Sequence, residues 1–209
     1  GVFTVSIDIT KGCSDTTAFR QVTVYKKPVA LFTTNSEVYC RGDPVKVTNG
    51  SLNDTNYQWL WKDGNISSGL NPGHIYATGG NYAIYLQAER TNSSGLVCYD
   101  TIVRSVTILS KPVVTVLSNI NAINCAPFKL DVSAPGIISE KVTWYFYDST
   151  VVPSLVTAPG INARYIFGKP GTFYVKMIAV NAAGCKDSTT IAFTVRGKAV
   201  ASFSPSTMA

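Results

Sequence analysis

The stretch Trp59-Leu60-Trp61-Lys62-Asp63 returns 85 residues later as Trp144-Tyr145-Phe146-Tyr147-Asp148. In the second copy, Val142, Trp144 and Phe146 alternate with more polar positions, which is typical of a β-strand with one face turned inward. Two copies of one stretch at a fixed step indicate that the chain is built from a repeated structural unit.

Other landmarks keep nearly the same step. Cys40 returns as Cys125, and a Cys-x-Asp-[Ser/Thr] tetrad begins at Cys13, Cys98 and Cys185. We interpret residues 28–111 as a complete first repeat and residues 112–197 as a complete second repeat. Residues 1–27 are then the C-terminal part of a truncated repeat, and residues 198–209 are the first strand of a following one. Units of about 85 residues can each hold a core of their own, which the short end segments cannot.

Composition restricts the class of protein. Hydrophobic residues make up 45% of the chain and charged residues 14%, which excludes a disordered chain. The net charge of +6 comes from scattered lysines and arginines without an arginine-rich stripe, so we expect no binding to nucleic acid. Weak attraction to anionic polysaccharide is the alternative that this charge leaves open. No apolar run reaches the roughly 18 residues of a membrane helix, and we expect no direct membrane insertion.

The second repeat shows the clearest strand pattern. Short segments rich in valine, isoleucine, threonine and aromatic residues alternate with Gly, Pro, Asn and Asp breaks. The predicted strands are 113–117, 128–132, 142–147, 164–167, 173–180 and 189–195. This spacing predicts an all-β chain of tandem two-sheet sandwiches with an immunoglobulin-like architecture. Trp59 and Trp144 are expected in the cores, whereas partial exposure of Trp61 would favour a binding role.

The five cysteines suggest one disulfide in each complete repeat. In each repeat the first cysteine precedes an inward strand and the second precedes the last strand, so we expect both at the same end of the sandwich. This predicts the pairs Cys40–Cys98 and Cys125–Cys185. Cys13 is then expected to pair upstream of this segment, with a free or interchain thiol as the alternative. Disulfides indicate an oxidising compartment and export.

Metal and catalytic sites have little support in the sequence. There is no Cys-x-x-Cys, and His74 is the only histidine, so a zinc site is not expected. No serine or cysteine nucleophile accompanies His74 in a context that supplies a base, and we expect no enzyme activity. Calcium bound by Asn53, Asp54 and Asp63 is the one metal alternative, although no loop has dense aspartate spacing.

The first repeat resembles the PKD domain signature. That signature reads W-x-F-G-D-G, then N-P-x-H-x-Y, then P-G-x-Y. Its counterparts here are Trp59, Trp61, Asp63, Gly64, Asn71, Pro72, His74 and Tyr76, followed by residues 80–82. The second repeat keeps Trp144, Phe146 and Asp148, has Ser149 in place of the glycine and lacks N-P-x-H. The resemblance implies that Asp63 and Asp148 hold the turn after the tryptophan strand, and that His74 packs or bonds near Tyr76.

The tandem cysteine-bearing repeat is also similar to PKD arrays in gliding-motility adhesins of Bacteroidota, exported by type IX secretion. This resemblance implies a non-enzymatic stalk or adhesin segment at the cell surface, in contact with neighbouring repeats and with surface polysaccharide or other cell-surface proteins. An accessory module of a secreted hydrolase is the alternative, and a capsid or tail decoration is a third. The resemblance also suggests O-glycosylation at Thr16, Thr101, Ser149 and Ser188, where a turn-capping hydroxyl is the other interpretation.

Overall fold

The computed structural model describes residues 1–12, 14–137, 141–151 and 154–203. It divides into two compact units, Gly1–Ile108 and Leu109–Ala209. The secondary structure of the described residues is β-strand, as the composition predicted, and none of it is a helix that could cross a bilayer. The four-part division of the chain remains a prediction.

A hairpin opens the first unit. Strands β1 (Val2–Lys11) and β2 (Ser14–Thr23) pair antiparallel over their whole length. Within the part of the chain that the structure describes, no third strand joins this sheet. Its apolar side chains are consequently exposed, among them Phe3 at 58% and Phe19 at 71%. The hairpin therefore has no core of its own.

The first sandwich follows the hairpin. Its smaller sheet has the order β3 (Phe32–Thr34), β5 (Pro44–Asn49), β8 (Gly73–Ile75). The larger sheet has the order β4 (Val38–Cys40), β10 (Val97–Leu109), β9 (Gly80–Thr91), β6 (Asn56–Leu60), β7 (Ile66–Ser68). Alternate residues of β9 are buried, with Ile84, Leu86 and Ala88 inward. The two sheets close over one cluster that contains both tryptophans of this unit.

The second sandwich repeats this architecture. Its smaller sheet has the order β11 (Leu117–Ser118), β13 (Phe128–Ser133), β16 (Asn162–Phe167). The larger sheet has the order β12 (Asn124–Cys125), β18 (Lys186–Arg196), β17 (Gly171–Val180), β14 (Lys141–Tyr147), β15 (Leu155–Pro159). Val142, Trp144 and Phe146 all point into the core, as their alternation predicted. The predicted all-β sandwich fold is therefore confirmed.

Two details of the predicted strands differ. Only Leu117 of the predicted strand 113–117 is in a strand, while Val114 and Val116 pack against the core without pairing. These valines are therefore apolar because they pack against the core, and they do not belong to a hydrogen-bonded strand. Strand β15 was not predicted. It ends in Pro159, and a proline argues against assigning a segment to a strand from sequence. Here β15 is an edge strand, which tolerates proline.

The predicted pairs Cys40–Cys98 and Cys125–Cys185 are wrong. Cys98 and Cys125 are free thiols, whereas Cys40 and Cys185 are disulfide-bonded. In the second unit Cys125 lies beside Arg196 at the end of β18, and Cys185 lies just before β18 begins. A strand rises about 3.3 Å per residue, so these cysteines are roughly 35 Å apart. A disulfide needs Cα atoms within about 7 Å.

The first unit has the same arrangement. Strand β4 ends at Cys40 and lies beside β10, where the Thr107 N–H donates to the Glu37 carbonyl at 2.8 Å. Cys98 lies near the opposite end of β10, roughly 30 Å from Thr107 along the strand. The expectation failed because the local pattern does not encode where a short strand joins the sheet. Cys13 lies outside the described residues.

Candidate functional site: the acid–aromatic clusters of the two repeats

In the first repeat the signature residues converge on one cluster. Trp61 follows the end of β6, and His74 lies on β8 in the opposite sheet. The two rings stack at 4.7 Å between centroids, and Tyr76 meets the His74 ring edge-on at 4.6 Å. Trp61 and Tyr76 are fully buried. The cluster therefore joins the two sheets through aromatic contacts.

Asp63 closes this cluster from the turn after Trp61. Its Oδ2 lies 2.6 Å from His74 Nε2, and its Oδ1 accepts a hydrogen bond from the Asn65 N–H at 3.1 Å. A carboxylate only accepts, so Nε2 carries the proton. Gly64, with φ of +95°, provides the left-handed residue that this turn uses. Asp63 therefore holds the turn after the tryptophan strand, and His74 bonds and packs locally.

Electrostatics at Asp63 follow from these contacts. Partial burial pushes the pKa of its carboxyl upward, but the hydrogen bonds from His74 and Asn65 outweigh burial and hold that pKa below its usual value. Nearby, Tyr76 donates its hydroxyl to the Trp61 carbonyl at 3.0 Å. Burial, and then the charge of Asp63, raises the pKa of the Tyr76 hydroxyl. These shifts favour an ionised Asp63 and a neutral Tyr76 hydroxyl, which are the forms that make these hydrogen bonds.

The second repeat builds a matching cluster from different residues. Phe146 and Tyr165 stack at 5.1 Å, and Phe167 meets the Tyr165 ring edge-on at 4.7 Å. The Tyr165 hydroxyl donates to Asp148 Oδ2 at 3.2 Å, so Tyr165 takes the place of His74. Burial and Asp148 together raise the pKa of the Tyr165 hydroxyl. Sequence analysis missed Tyr165, because the N-P-x-H motif that marks His74 is absent here.

Asp148 is fully buried and holds the turn after its strand. Its Oδ1 accepts from the Thr150 N–H at 3.0 Å and from the Thr150 hydroxyl at 2.7 Å. The tryptophans also correspond: Trp59 Nε1 donates to the Gly69 carbonyl at 3.0 Å, and Trp144 Nε1 donates to the Gly160 carbonyl at 2.8 Å. Every polar group named in the two clusters is thus used to hold the fold.

Other contacts position the remaining signature residues. Asn71 uses its Oδ1 to accept from the Asn49 N–H at 2.8 Å, which ties the segment before β8 to the end of β5. Pro72 separates this contact from β8. Asn71 and Pro72 thus fix where β8 begins, and with it the position of His74.

The chemistry open to these clusters is limited. Among the described residues no three His, Cys, Asp or Glu side chains gather as a metal site would require. Of the calcium candidates, Asp63 uses both oxygens inside the fold, and the Asn53 carbonyl accepts from Arg90 Nη1 at 3.2 Å. Asp54 Oδ2 has no hydrogen-bond partner. Trp61, whose exposure would have favoured binding, is fully buried.

Two exposed tyrosines form an aromatic candidate for ligand contact. Tyr147 on β14 and Tyr174 on β17 are register partners, exposed at 41% and 48%. We call these two residues the tyrosine pair. A groove of about 700 Å³ on the smaller sheet of the same unit is lined by Leu117, Asn119 and Arg164, among others, and no aromatic ring lines it. Sugar rings stack on aromatic faces, so the tyrosine pair is the better candidate surface for a glycan.

The four hydroxyl residues suggested for O-glycosylation are all exposed: Thr16, Thr101, Ser149 and Ser188. Thr16 and Thr101 lie within β2 and β10, and Ser188 lies within β18. Ser149 lies in the turn that Asp148 holds. Exposure leaves each hydroxyl accessible from solvent.

Comparison with known proteins supports the fold of the first sandwich. The family profile described as PKD domain matches residues 25–108. No curated protein matches the chain. The PKD1 domain of Vibrio anguillarum Epp shares 25% identity over 40% of this chain and 98% of that chain, with a TM-score of 0.32.

Two longer solved structures are similar at lower identity. A structure concerned with cell-surface retention of a 1.5-MDa bacterial ice-binding adhesin shares 14% identity over 94% of this chain and 75% of that one, with a TM-score of 0.42. A carbohydrate-binding module of the β-sandwich superfamily shares 12% identity over 81% and 84%, with a TM-score of 0.37. Residues 25–108, which carry the tryptophan and N-P-x-H motifs, are therefore similar to the PKD domain family.

Proposed function

We propose that this chain is a non-enzymatic structural and adhesive segment of a larger exported protein. The observation that carries the proposal is the repeat itself: each unit has its own core, and its acid–aromatic cluster holds the fold. Two disulfide-bonded cysteines support an oxidising, extracellular location. The proposal needs no cofactor and places the chain in contact with neighbouring repeats.

The specific setting we propose is a cell-surface adhesin of gliding motility, exported by type IX secretion, in which the repeats form an extended stalk. The tandem cysteine-bearing repeat supports this setting. One repeat is about 40 Å long, judged from the 13 residues of β10 at about 3.3 Å each. Small-angle X-ray scattering on the 209-residue chain tests the stalk. A maximum dimension near 80 Å supports it, and one near 50 Å contradicts it.

Contact with surface polysaccharide is the second part of the proposal. The tyrosine pair supplies two exposed rings side by side on one sheet face, where sugar rings could stack. The net charge of +6 favours an anionic polysaccharide. The same surface suits an accessory module of a secreted hydrolase, which is the alternative function.

A glycan array with the intact chain tests this contact. We expect binding to acidic polysaccharides, lost when Tyr147 and Tyr174 are both replaced by alanine. Tyr99→Ala is the matched control, because Tyr99 is also exposed but lies in the first repeat. Binding that survives the double substitution would remove the tyrosine pair from the proposal. Decoration at Thr16, Thr101, Ser149 and Ser188 is checked by intact mass of the protein from its source.

A further inference from the structure

Each complete repeat carries two cysteines at different places in its fold. We call Cys40 and Cys125 the early cysteines, because each lies on the short strand that joins the last strand of its repeat. Cys98 and Cys185 are the late cysteines, which lie near the start of that last strand. The two kinds mark opposite ends of a sandwich, as the strand lengths above show.

The late cysteines lie at the N-terminal end of their repeats. Two residues after Cys98, the Asp100 carboxylate accepts from the Ala30 N–H at 3.0 Å and from Lys27 Nζ at 2.9 Å. In the second repeat the Cys185 N–H donates to Asn181 Oδ1 at 2.9 Å, and Asn181 Nδ2 donates to the Ser110 carbonyl at 2.9 Å. Both late cysteines are thus close to the residues through which the chain enters its repeat.

The early cysteines lie at the C-terminal end. Cys125 is the register partner of Arg196, and the next residue, Ala126, donates its N–H to the Arg196 carbonyl at 2.9 Å. Cys40 ends the strand that lies beside β10 near Thr107. Each repeat therefore presents one cysteine where the chain enters it and another where the chain leaves.

Bonding differs within each kind. Among the early cysteines Cys40 is disulfide-bonded and Cys125 is an exposed thiol. Among the late cysteines Cys185 is disulfide-bonded and Cys98 is a partly exposed thiol. Both positions of the repeat can thus form a disulfide. Distance excludes a bond between the early and late cysteines of one repeat.

We propose that Cys98 and Cys125 are also disulfide-forming positions, and that each bonds the opposite kind of cysteine in another repeat of the same type. An early cysteine marks the end at which the chain leaves a repeat, and a late cysteine marks the end at which the chain enters one. A bond between the two kinds therefore joins the exit end of one repeat to the entry end of another. Covalent bonds of this kind would link repeats to one another, which goes beyond the structural and adhesive role proposed above.

The reaction balances as thiol–disulfide exchange. The thiolate of Cys125 attacks a small-molecule disulfide such as oxidised glutathione, and one glutathione thiolate leaves. The thiolate of Cys98 from a second molecule then attacks the Cys125 sulfur of this mixed disulfide. The Cys125–Cys98 bond forms and the second glutathione leaves. Two thiols have lost two protons and two electrons, and one oxidised glutathione has become two reduced molecules.

The experiment uses the 209-residue chain with Cys13→Ser, which removes the cysteine outside the described residues and keeps the two thiols that the structure describes, Cys98 and Cys125. It is incubated in a glutathione redox buffer and analysed by non-reducing electrophoresis. We expect a ladder of covalent oligomers, because each molecule has one reactive cysteine of each kind. Cys98→Ser and Cys125→Ser, each in the same background, are the matched variants. Neither substitution removes an existing disulfide, so folding is not at risk.

A mixture of the two variants gives the deciding result. We expect it to stop at dimers, and peptide mapping should show that well over half of the new bonds join Cys98 to Cys125. Random encounters would give the mixed bond in only half of the dimers. A random distribution, a majority of symmetrical bonds, or no covalent dimer in the mixture would each overturn the proposal. The scattering and glycan tests of the proposed function do not depend on this outcome.

Discussion

The two repeats hold the same turn with different chemistry. In the first, Asp63 is bound by His74 and lies partly open to solvent, with 18% of its side chain exposed. In the second, Asp148 is fully buried and is bound by the neutral hydroxyl of Tyr165. The ring contacts correspond in both clusters, stacked on one side and edge-on at the other. The comparison teaches that ring geometry and an acceptor on the turn are enough, whereas the identity of the donor can change.

The tryptophans should show the largest effect and the least difference between repeats. Trp59→Ala and Trp144→Ala each remove a fully buried ring with a hydrogen bond to a glycine carbonyl. We expect each to lower the free energy of unfolding of its own repeat by about 3–5 kcal/mol. Urea unfolding followed by resolved amide NMR signals reports each repeat separately. If the loss of unfolding free energy in one repeat were less than half of that in the other, the equivalence of the two cores would be contradicted.

The aspartates should separate the repeats. Asp148→Ala leaves the Tyr165 and Thr150 hydroxyls without their buried acceptor, and we expect a loss of about 2–3 kcal/mol. Asp63→Ala should cost about 1 kcal/mol, because solvent reaches that site. The same urea titration measures both. Equal losses would show that burial of the carboxylate does not set its contribution.

Acid should weaken the first repeat through two carboxyls whose pKa is held low. At Asp63 burial opposes the shift, and hydrogen bonds from His74 and Asn65 produce it; at Asp100 the Ala30 N–H and Lys27 produce it. A folded pKa below the unfolded value of about 3.9 contributes stability that is complete above that pH. This stability is lost as the pH falls through the folded pKa.

The measurement is the urea midpoint of the first repeat between pH 6 and pH 2. Asp63→Asn combined with Asp100→Asn is the control and should flatten its pH dependence. A slope that is unchanged in this double variant would assign the acid sensitivity to other groups.

Exchanging the side chains that donate to the turn aspartates, His74 and Tyr165, should change stability least. This exchange also tests the comparison of the two clusters most directly. Tyr165→His places an imidazole beside Asp148. The carboxylate should raise the pKa of this histidine in the folded state above its unfolded value of about 6.5. The added stability is present below that value and is lost as the pH rises through the folded pKa. We expect a change of about 1 kcal/mol or less, measured by NMR titration of the new histidine.

The reciprocal variant is the control. His74→Tyr puts the second repeat's donor into the first, and we expect it to cost less than Asp63→Ala because the ring can still stack on Trp61. A larger loss than that of Asp63→Ala would show that the first cluster requires the imidazole itself.

The repeat, the sandwich class and the turn aspartates could be predicted because they depend on local patterns. Alternation identified β14, and the tryptophan motif located the core of both repeats. His74 was found because it belongs to a spaced motif. Its counterpart Tyr165 was missed, since a tyrosine in a strand looks like any other half-buried aromatic residue.

The cysteine pairing could not be predicted for a different reason. It depends on where β12 joins the sheet, and β12 has only two residues in strand conformation. Its parallel pairing with the far end of β18 is a non-local contact that no local pattern specifies. The spacing of Cys125 and Cys185 along the chain therefore contained no information about their distance in space.

The hairpin of β1 and β2 should determine where proteases first cut the molecule. Its two strands are hydrogen-bonded to each other, but their apolar side chains are already exposed to solvent. Opening the hairpin therefore exposes little additional apolar surface, and its free energy of opening is small. Proteases should therefore cut this ribbon before either sandwich. Limited digestion should leave a long-lived fragment that begins near Lys26.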